Sequence, residues 1–211
     1  QGVAGALGWC MADYNTHREF GSGDRICYHG VTDLFRNPKL SAAVYASQKT
    51  PRSPSDVVFE VSSSMALGDH PGGFAGACWV FTNAESVRLY RDNNFIAEFT
   101  PDRRGRFAAL PHPPIEIQDF VGSLLEKYEG LDQSTAPQVA AILNEMRRDA
   151  LSLSPFSRAR MLSLRLSAND LLRMYYKYIG VLGGPSSVYR FEAVWHGRTV
   201  RTVVKEPVQS V

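Results

Sequence analysis

The 211 residues hold three cysteines, Cys10, Cys27 and Cys78. The number is odd and no CxxC pair occurs, so no disulfide framework is expected. Each cysteine sits in an apolar or aromatic setting that suits a buried free thiol. Such usage fits a cytoplasmic chain. No apolar run approaches the roughly 18–20 residues that a membrane span needs, so no membrane partner is expected. Residues 1–8 have neither a basic start nor a long apolar stretch, which leaves no signal peptide to expect. A formal charge of +2 is too small to suggest nucleic acid as a partner. The five histidines are too dispersed for a zinc site. No Gly-rich phosphate cradle, Ser-His-Asp set or Cys-His pair stands out, so neither cofactor nor metal is expected.

What is present is material for a sizeable core. Residues are 44% hydrophobic against 21% charged, and two domains fit this length. The stretch from Gly8 to Gln48 organises the reading. An apolar run, Val3–Met11, stops abruptly at Asp13-Tyr14-Asn15-Thr16-His17-Arg18-Glu19, as a buried parallel strand does when it opens onto a functional rim. The loop from Tyr14 to Val31 is long, and Trp9, Tyr14, His17, Tyr28 and His29 argue against disorder. Asn37-Pro38 sets an N-cap and a first-turn proline. Leu40, Val44 and Tyr45 give the next helix an apolar face. Strand, loop and helix in this order form one unit of a (β/α)8 barrel, whose chemistry lies in such loops.

These residues carry a resemblance. Trp9-Cys10-Met11-Ala12-Asp13-Tyr14, then Asp24-Arg25-Ile26-Cys27-Tyr28-His29-Gly30-Val31 and Asn37-Pro38-Lys39, resemble the end of the catalytic barrel of glycoside hydrolase family 2. That is the β-galactosidase/β-glucuronidase/β-mannosidase group. Thr82-Asn83 followed by Val87-Arg88-Leu89-Tyr90 is similar to the immunoglobulin-like domain after that barrel. The resemblance implies a sugar platform at Trp9, a loop side chain reaching the sugar at His29, and rim residues at Asp13 and Tyr14. It also implies a retaining mechanism, which needs two carboxyl groups about 5–5.5 Å apart. In the family both come from earlier barrel strands. Asp13, Glu19 and Asp24 give no reason to promote any pair of them, so no catalytic residue is assigned to this chain.

Ser47–Asp56 (SQKTPRSPSD) reads as a linker. Strands are expected at 57–61 and 77–83, and a hairpin spans Val87–Phe99 around Asp92-Asn93-Asn94. From about 115 to 180 the pattern turns helical. Four amphipathic helices are expected: 117–128, Ser134–Arg148 with a buried stripe of Val139, Ile142, Leu143 and Met146, one capped by Ser154-Pro155, and one opened by Ser167 and closed by Gly180. Arg147, Arg148, Arg158, Arg160, Arg165 and Arg173 read as a solvated helix face. Ser187–Ala193 and Thr199–Lys205 return the chain to strand, with His196-Gly197 as the turn.

The expected fold class is therefore α+β. Residues 1–50 end a (β/α)8 barrel, and 54–208 form an immunoglobulin-like β-sandwich (strands about 57–110 and 187–205) with the helical insert. The functional reading is the C-terminal region of a retaining β-glycosidase, inactive alone. Its partners would be a β-galactoside-like carbohydrate and the remainder of the barrel, with a homo-oligomer as a further option. Two alternatives stand beside it: a carbohydrate-binding module using Trp79 or Trp195, and a protein-interaction module built on the helical insert.

Overall fold

A computed structural model describes residues 7–19, 23–67, 73–180 and 186–206. In chain order they form strands β1 (Tyr14–Asn15) and β2 (Ile26–Cys27), helix α1 (Leu40–Ala46), then strands β3 (Phe59–Val61), β4 (Cys78–Thr82), β5 (Ser86–Arg91), β6 (Asn94–Phe99) and β7 (Ile115–Ile117). Helices α2 (Leu124–Glu129), α3 (Ala136–Arg148), α4 (Pro155–Ser163) and α5 (Ala168–Tyr178) follow, and β8 (Tyr189–Trp195) and β9 (Arg198–Lys205) close the series. The protein is a mixed α+β chain whose named strands all pair antiparallel, in sheets ordered β1-β2, β3-β4-β7 and β6-β5-β8-β9.

The four-stranded sheet follows directly from the period of its sequence. Val87 and Leu89 alternate with Arg88 and Tyr90, and both apolar side chains are fully buried. Asp92 and Asn93 both take positive φ, 47° and 64°, which makes the two-residue turn that suits strand twist. His196 and Gly197 do the same for β8 and β9, at 49° and 71°. β5 pairs with β8 across the whole intervening helical region, Leu89 opposite Phe191. Residues of both larger sheets and of α2, α3 and α5 meet in one buried cluster. In α3 the stripe Val139, Ile142, Leu143 and Met146 is buried as the spacing predicts. Ser167 and Asp170 cap α5 reciprocally, and Gly130 ends α2 in a left-handed conformation.

Five expectations need correction. The segment taken as a helix from 117 to 128 starts later, at Leu124, and Ile115–Ile117 is a strand on β4 instead. Ile-Glu-Ile alternates, and Asp119 then breaks the chain by accepting the Val121 and Gly122 amides. Arg147 is not on a solvated face. It is 2% exposed, with its guanidinium 4.2 Å over Phe120 and its Nη1 donating to the Phe74 carbonyl at 2.7 Å. Residues 47–56 are no free linker, since Asn83 Nδ2 donates to the Lys49 and Asp56 carbonyls while its Oδ1 accepts the Val58 amide. Gln48 adds a two-way bond to the His112 backbone. Asn37 is not the N-cap of α1, a position Lys39 takes. The Asp33 carboxylate claims the Asn37 amide and side chain and shapes the turn. Finally, 7–11 form no strand, and Leu7, Trp9 and Met11 are exposed. Val3–Ala6 and His70 lie outside the described residues.

Glu129 ties α2 to α5. Its carboxylate accepts from Lys177 Nζ (2.6 Å), Tyr178 Oη (2.7 Å) and Arg173 Nη1 (3.2 Å). These donors, Lys177 first, hold its pKa down at about 2. A carboxyl held below its unfolded value of about 4.3 contributes stability above that value and loses it as pH falls toward the folded one. Lys177 and Arg173 are half-exposed, so screening limits the contribution to about 1–2 kcal/mol. Urea unfolding of Glu129→Gln should show that deficit at neutral pH, shrinking as pH drops from about 5 toward 2; a pH-independent difference would contradict it.

Candidate functional site

The stretch 9–39 folds around one buried carboxylate. Parallel to the chain at 10–13 runs the segment 30–32: Val31 N donates to Cys10 O (3.1 Å), Thr32 N to Met11 O (2.9 Å), and Asp13 N to Thr32 O (3.0 Å). Asp13, 4% exposed, accepts from the Gly30 amide at 2.8 Å and from Lys39 Nζ at 2.6 Å. Lys39 also donates to the Tyr28 carbonyl (3.2 Å) and sits 5.8 Å over the Tyr28 ring. One carboxylate therefore fastens the strand-like segment, the end of the long loop and the entrance to α1. Gly30 is needed there for space. A Cβ at that position would meet Asp13 N at 2.1 Å, the Ala12 carbonyl carbon at 2.3 Å and Thr32 O at 2.4 Å.

Above this clasp the long loop is ordered by a short ladder, Tyr14 opposite Cys27 and Asn15 opposite Ile26. Asp24 turns the loop by accepting from the Ile26 amide (3.3 Å) and from the Tyr28 hydroxyl, which raises the tyrosine's pKa. Glu19 N donates to His17 Nδ1 at 3.2 Å, while the Glu19 carboxylate lies 3.9 Å from Arg18 in solvent. Asp13, Glu19 and Asp24 thus have three separate occupations.

Trp9, Tyr14 and His29 are brought together. Trp9 is 77% exposed, its ring edge-to-face with Tyr14 at 6.2 Å and its Nε1 donating to Tyr14 Oη at 3.3 Å. An open cleft of about 420 Å³ is walled by Trp9, Cys10, Met11, His29, Val31 and Tyr45. Asp13 is placed apart from this surface, beneath it. The residues missed in the sequence are Cys27, Gly30 and Lys39. Cys27 Sγ lies 3.2 Å from His29 Nδ1, so a Cys-His pair does exist. Its signal is the C-x-H spacing, which in extended chain puts both side chains on one side. Among the described residues no group of three or more His, Cys, Asp or Glu side chains is arranged to hold a metal ion, and no helix is long and apolar enough to cross a membrane.

The other tryptophans are occupied differently. Trp79 is half-buried and meets Phe107 edge-to-face at 5.7 Å, beside a cleft of about 460 Å³. Trp195 is half-buried and covers its ring with His196 at 4.2 Å. Larger clefts of about 610 Å³ occur between β7, α2 and α3, with no aromatic wall, and around Trp195 and His112.

Sequence comparison finds β-galactosidases among the proteins similar to this chain. The chain is 46% identical over 115 residues to a β-galactosidase of Thermoanaerobacter pseudethanolicus, covering 54% of this chain and 15% of that protein. It is 41% identical over 115 residues to a β-galactosidase of Thermoanaerobacterium thermosulfurigenes, covering 54% and 16%. Against a β-galactosidase of Rhizobium meliloti it is 34% identical over 116 residues, covering 55% and 15%. The chain thus spans about a sixth or less of the length of the curated relatives it matches. No family model matches it. Among solved structures, the β-glucuronidase of Parabacteroides merdae gives a TM-score of 0.42 at 11% identity, over 93% of this chain and 16% of that one. An FMN-binding β-glucuronidase from Facaelibacterium prausnitzii L2-6 gives 0.41 at 12% identity, over 96% and 19%. Scores at this level carry no argument. The relatives in sequence bear out the resemblance to the β-galactosidase group: over about 54% of its length this chain is similar to β-galactosidases.

Proposed function

We propose that the chain is the C-terminal region of a retaining β-glycosidase of the β-galactosidase kind, supplying part of a sugar subsite and none of the catalytic carboxylates. The observation that carries this reading is the 46% identity to a β-galactosidase over 115 residues. The subsite is Trp9, Tyr14 and His29. An exposed indole face suits a pyranose, because the axial C–H groups pack on the ring while the hydroxyls stay wet. Asp13 acts through position, holding Gly30 and Lys39 so that the loop presents His29.

The same reading makes 1–50 the end of a (β/α)8 barrel and the later sheets an immunoglobulin-like sandwich. Support comes from the parallel course of 10–13 and 30–32 ahead of α1, and from exposed Leu7, Met11, Phe35, Leu40 and Tyr45. These apolar side chains fit the remainder of a barrel as the surface that covers them. Hydrolysis is therefore absent from the isolated chain. Incubation of the 211-residue chain with a chromogenic β-galactoside should release no chromophore above the uncatalysed background. Turnover would contradict the reading and turn attention to Asp13, Glu19 and Asp24.

A further inference from the structure

Helix α1 supplies one wall of the cleft beside Trp9. Its Ser41 and Tyr45, one turn apart, line that cleft together with Trp9 and His29. A Cβ on Gly8 would lie 3.4 Å from Tyr45 Oη, so the phenol reaches the residue that precedes Trp9. Yet α1 is only seven residues long and none of its side chains is fully buried. A helix of that length does not stand without outside support. It lies against β3 and β4, and hydrogen bonds hold it at both ends.

At the start of α1, the Lys39 amide donates to Val31 O at 3.1 Å and Ser41 Oγ to the same oxygen at 3.5 Å. The far end is fastened by side-chain amides to segments distant in sequence. Gln48 Nε2 donates to His112 O (2.9 Å) and to Val44 O (3.2 Å), while its Oε1 accepts the His112 amide (3.1 Å). Asn83, 3% exposed, donates through Nδ2 to Lys49 O (2.7 Å) and Asp56 O (3.2 Å), and its Oδ1 accepts the Val58 amide (2.8 Å). Each amide is matched donor to acceptor on both sides, so turning either one over would set like against like.

We infer that Gln48 and Asn83 are positioning residues: by fastening the end of α1 to the segments beside β4 and β7, they set the Tyr45 wall of the Trp9 cleft. The sheets then do more than follow the rim in sequence, since they hold one side of it in place. The placement of the wall stands on these bonds; its bearing on a sugar rests on the proposed subsite.

Gln48→Glu and Asn83→Asp each keep an acceptor and lose the donors, so a carboxylate faces the carbonyls of His112, or of Lys49 and Asp56. In NMR spectra of the ¹⁵N-labelled 211-residue chain, both variants should shift the Trp9 indole N–H and the Gly8 amide. The Asp13 and Leu89 amides should keep their positions, which shows that the clasp and the main sheet are intact. A purely local role would confine the changes to 44–58 and 112; an unmoved Trp9 indole in Gln48→Glu overturns the inference, whether or not Asn83→Asp folds. Titration with methyl β-galactoside separates this inference from the subsite. Affinity should fall roughly tenfold in Gln48→Glu, about the worth of one hydrogen bond, and an affinity equal to wild type overturns the positioning role. A wild-type chain that ignores the sugar, with a Trp9 indole that still moves in the variants, removes the subsite and supports the placement of the wall.

Discussion

Replacing Gly30 with alanine should open the rim while leaving the rest of the chain folded. The added Cβ would lie 2.1–2.4 Å from three backbone atoms, on Asp13, Ala12 and Thr32, and no side-chain rotation can relieve a backbone clash. Overpacking that side chains can absorb costs about 1–3 kcal/mol. Here the backbone itself must part, so the upper end, about 3 kcal/mol, is expected. Separation breaks the bonds from Val31 to Cys10, Thr32 to Met11 and Asp13 to Thr32. Hydrogen exchange at the Asp13, Val31 and Thr32 amides should accelerate by roughly a hundredfold or more. Amides of the main sheet, such as those of Leu89 and Phe191, should keep their rates, because those strands share no ladder with the rim. Unchanged protection at Thr32 would show that the close approach of these segments is not a feature of the folded chain.

Removing the carboxylate of Asp13 should cost nearly as much by another route. Asp13→Ala leaves the Gly30 amide and the Lys39 ammonium without the acceptor that now lies 2.8 and 2.6 Å away. Stripping one partner from a buried ion pair costs about 3–5 kcal/mol. Lys39 is about one-third exposed and can turn to water, so about 3 kcal/mol is the expected loss. Asp13→Asn keeps an acceptor for the Gly30 amide and loses only the charge, and should cost about half as much. Denaturant titrations that follow Trp9 fluorescence would measure both. Equal stability of Asp13→Ala and wild type would contradict the clasp and return Asp13 to the list of side chains free to meet a ligand.

The sequence made some of this legible and hid the rest for physical reasons. The β5–β6 and β8–β9 hairpins were readable because strict alternation flanks two-residue turns that demand positive φ. The buried stripe of α3 was readable because thirteen residues are long enough for a 3.6 period to declare itself. Ile115–Ile117 was not, since three residues fit either period and apolar residues continue straight into α2. Arg147 follows Leu143 by one turn on the buried face of α3, but its charge argued for solvent, and the aromatic pocket of Phe74 and Phe120 that receives it is not visible in the local pattern. At the candidate site, Trp9, Tyr14 and His29 could be named from their motifs. That Asp13 lies beneath them depends on Gly30 and Lys39, seventeen and twenty-six positions away, and no local pattern reports such a meeting. Cys27 was overlooked because a thiol between apolar neighbours looks inert until its partner Nδ1 is seen.

The central claim, that sugar meets this chain at Trp9, Tyr14 and His29, is tested most directly by mapping methyl β-galactoside onto the ¹⁵N-labelled 211-residue chain. Perturbations should concentrate on the Trp9 indole N–H, on Tyr14 and on the 28–31 backbone, and should vanish in Trp9→Ala. Perturbations centred instead on the Trp79 indole and Phe107, or on Trp195 and His196, would contradict the account and identify the chain as a carbohydrate-binding module of another kind.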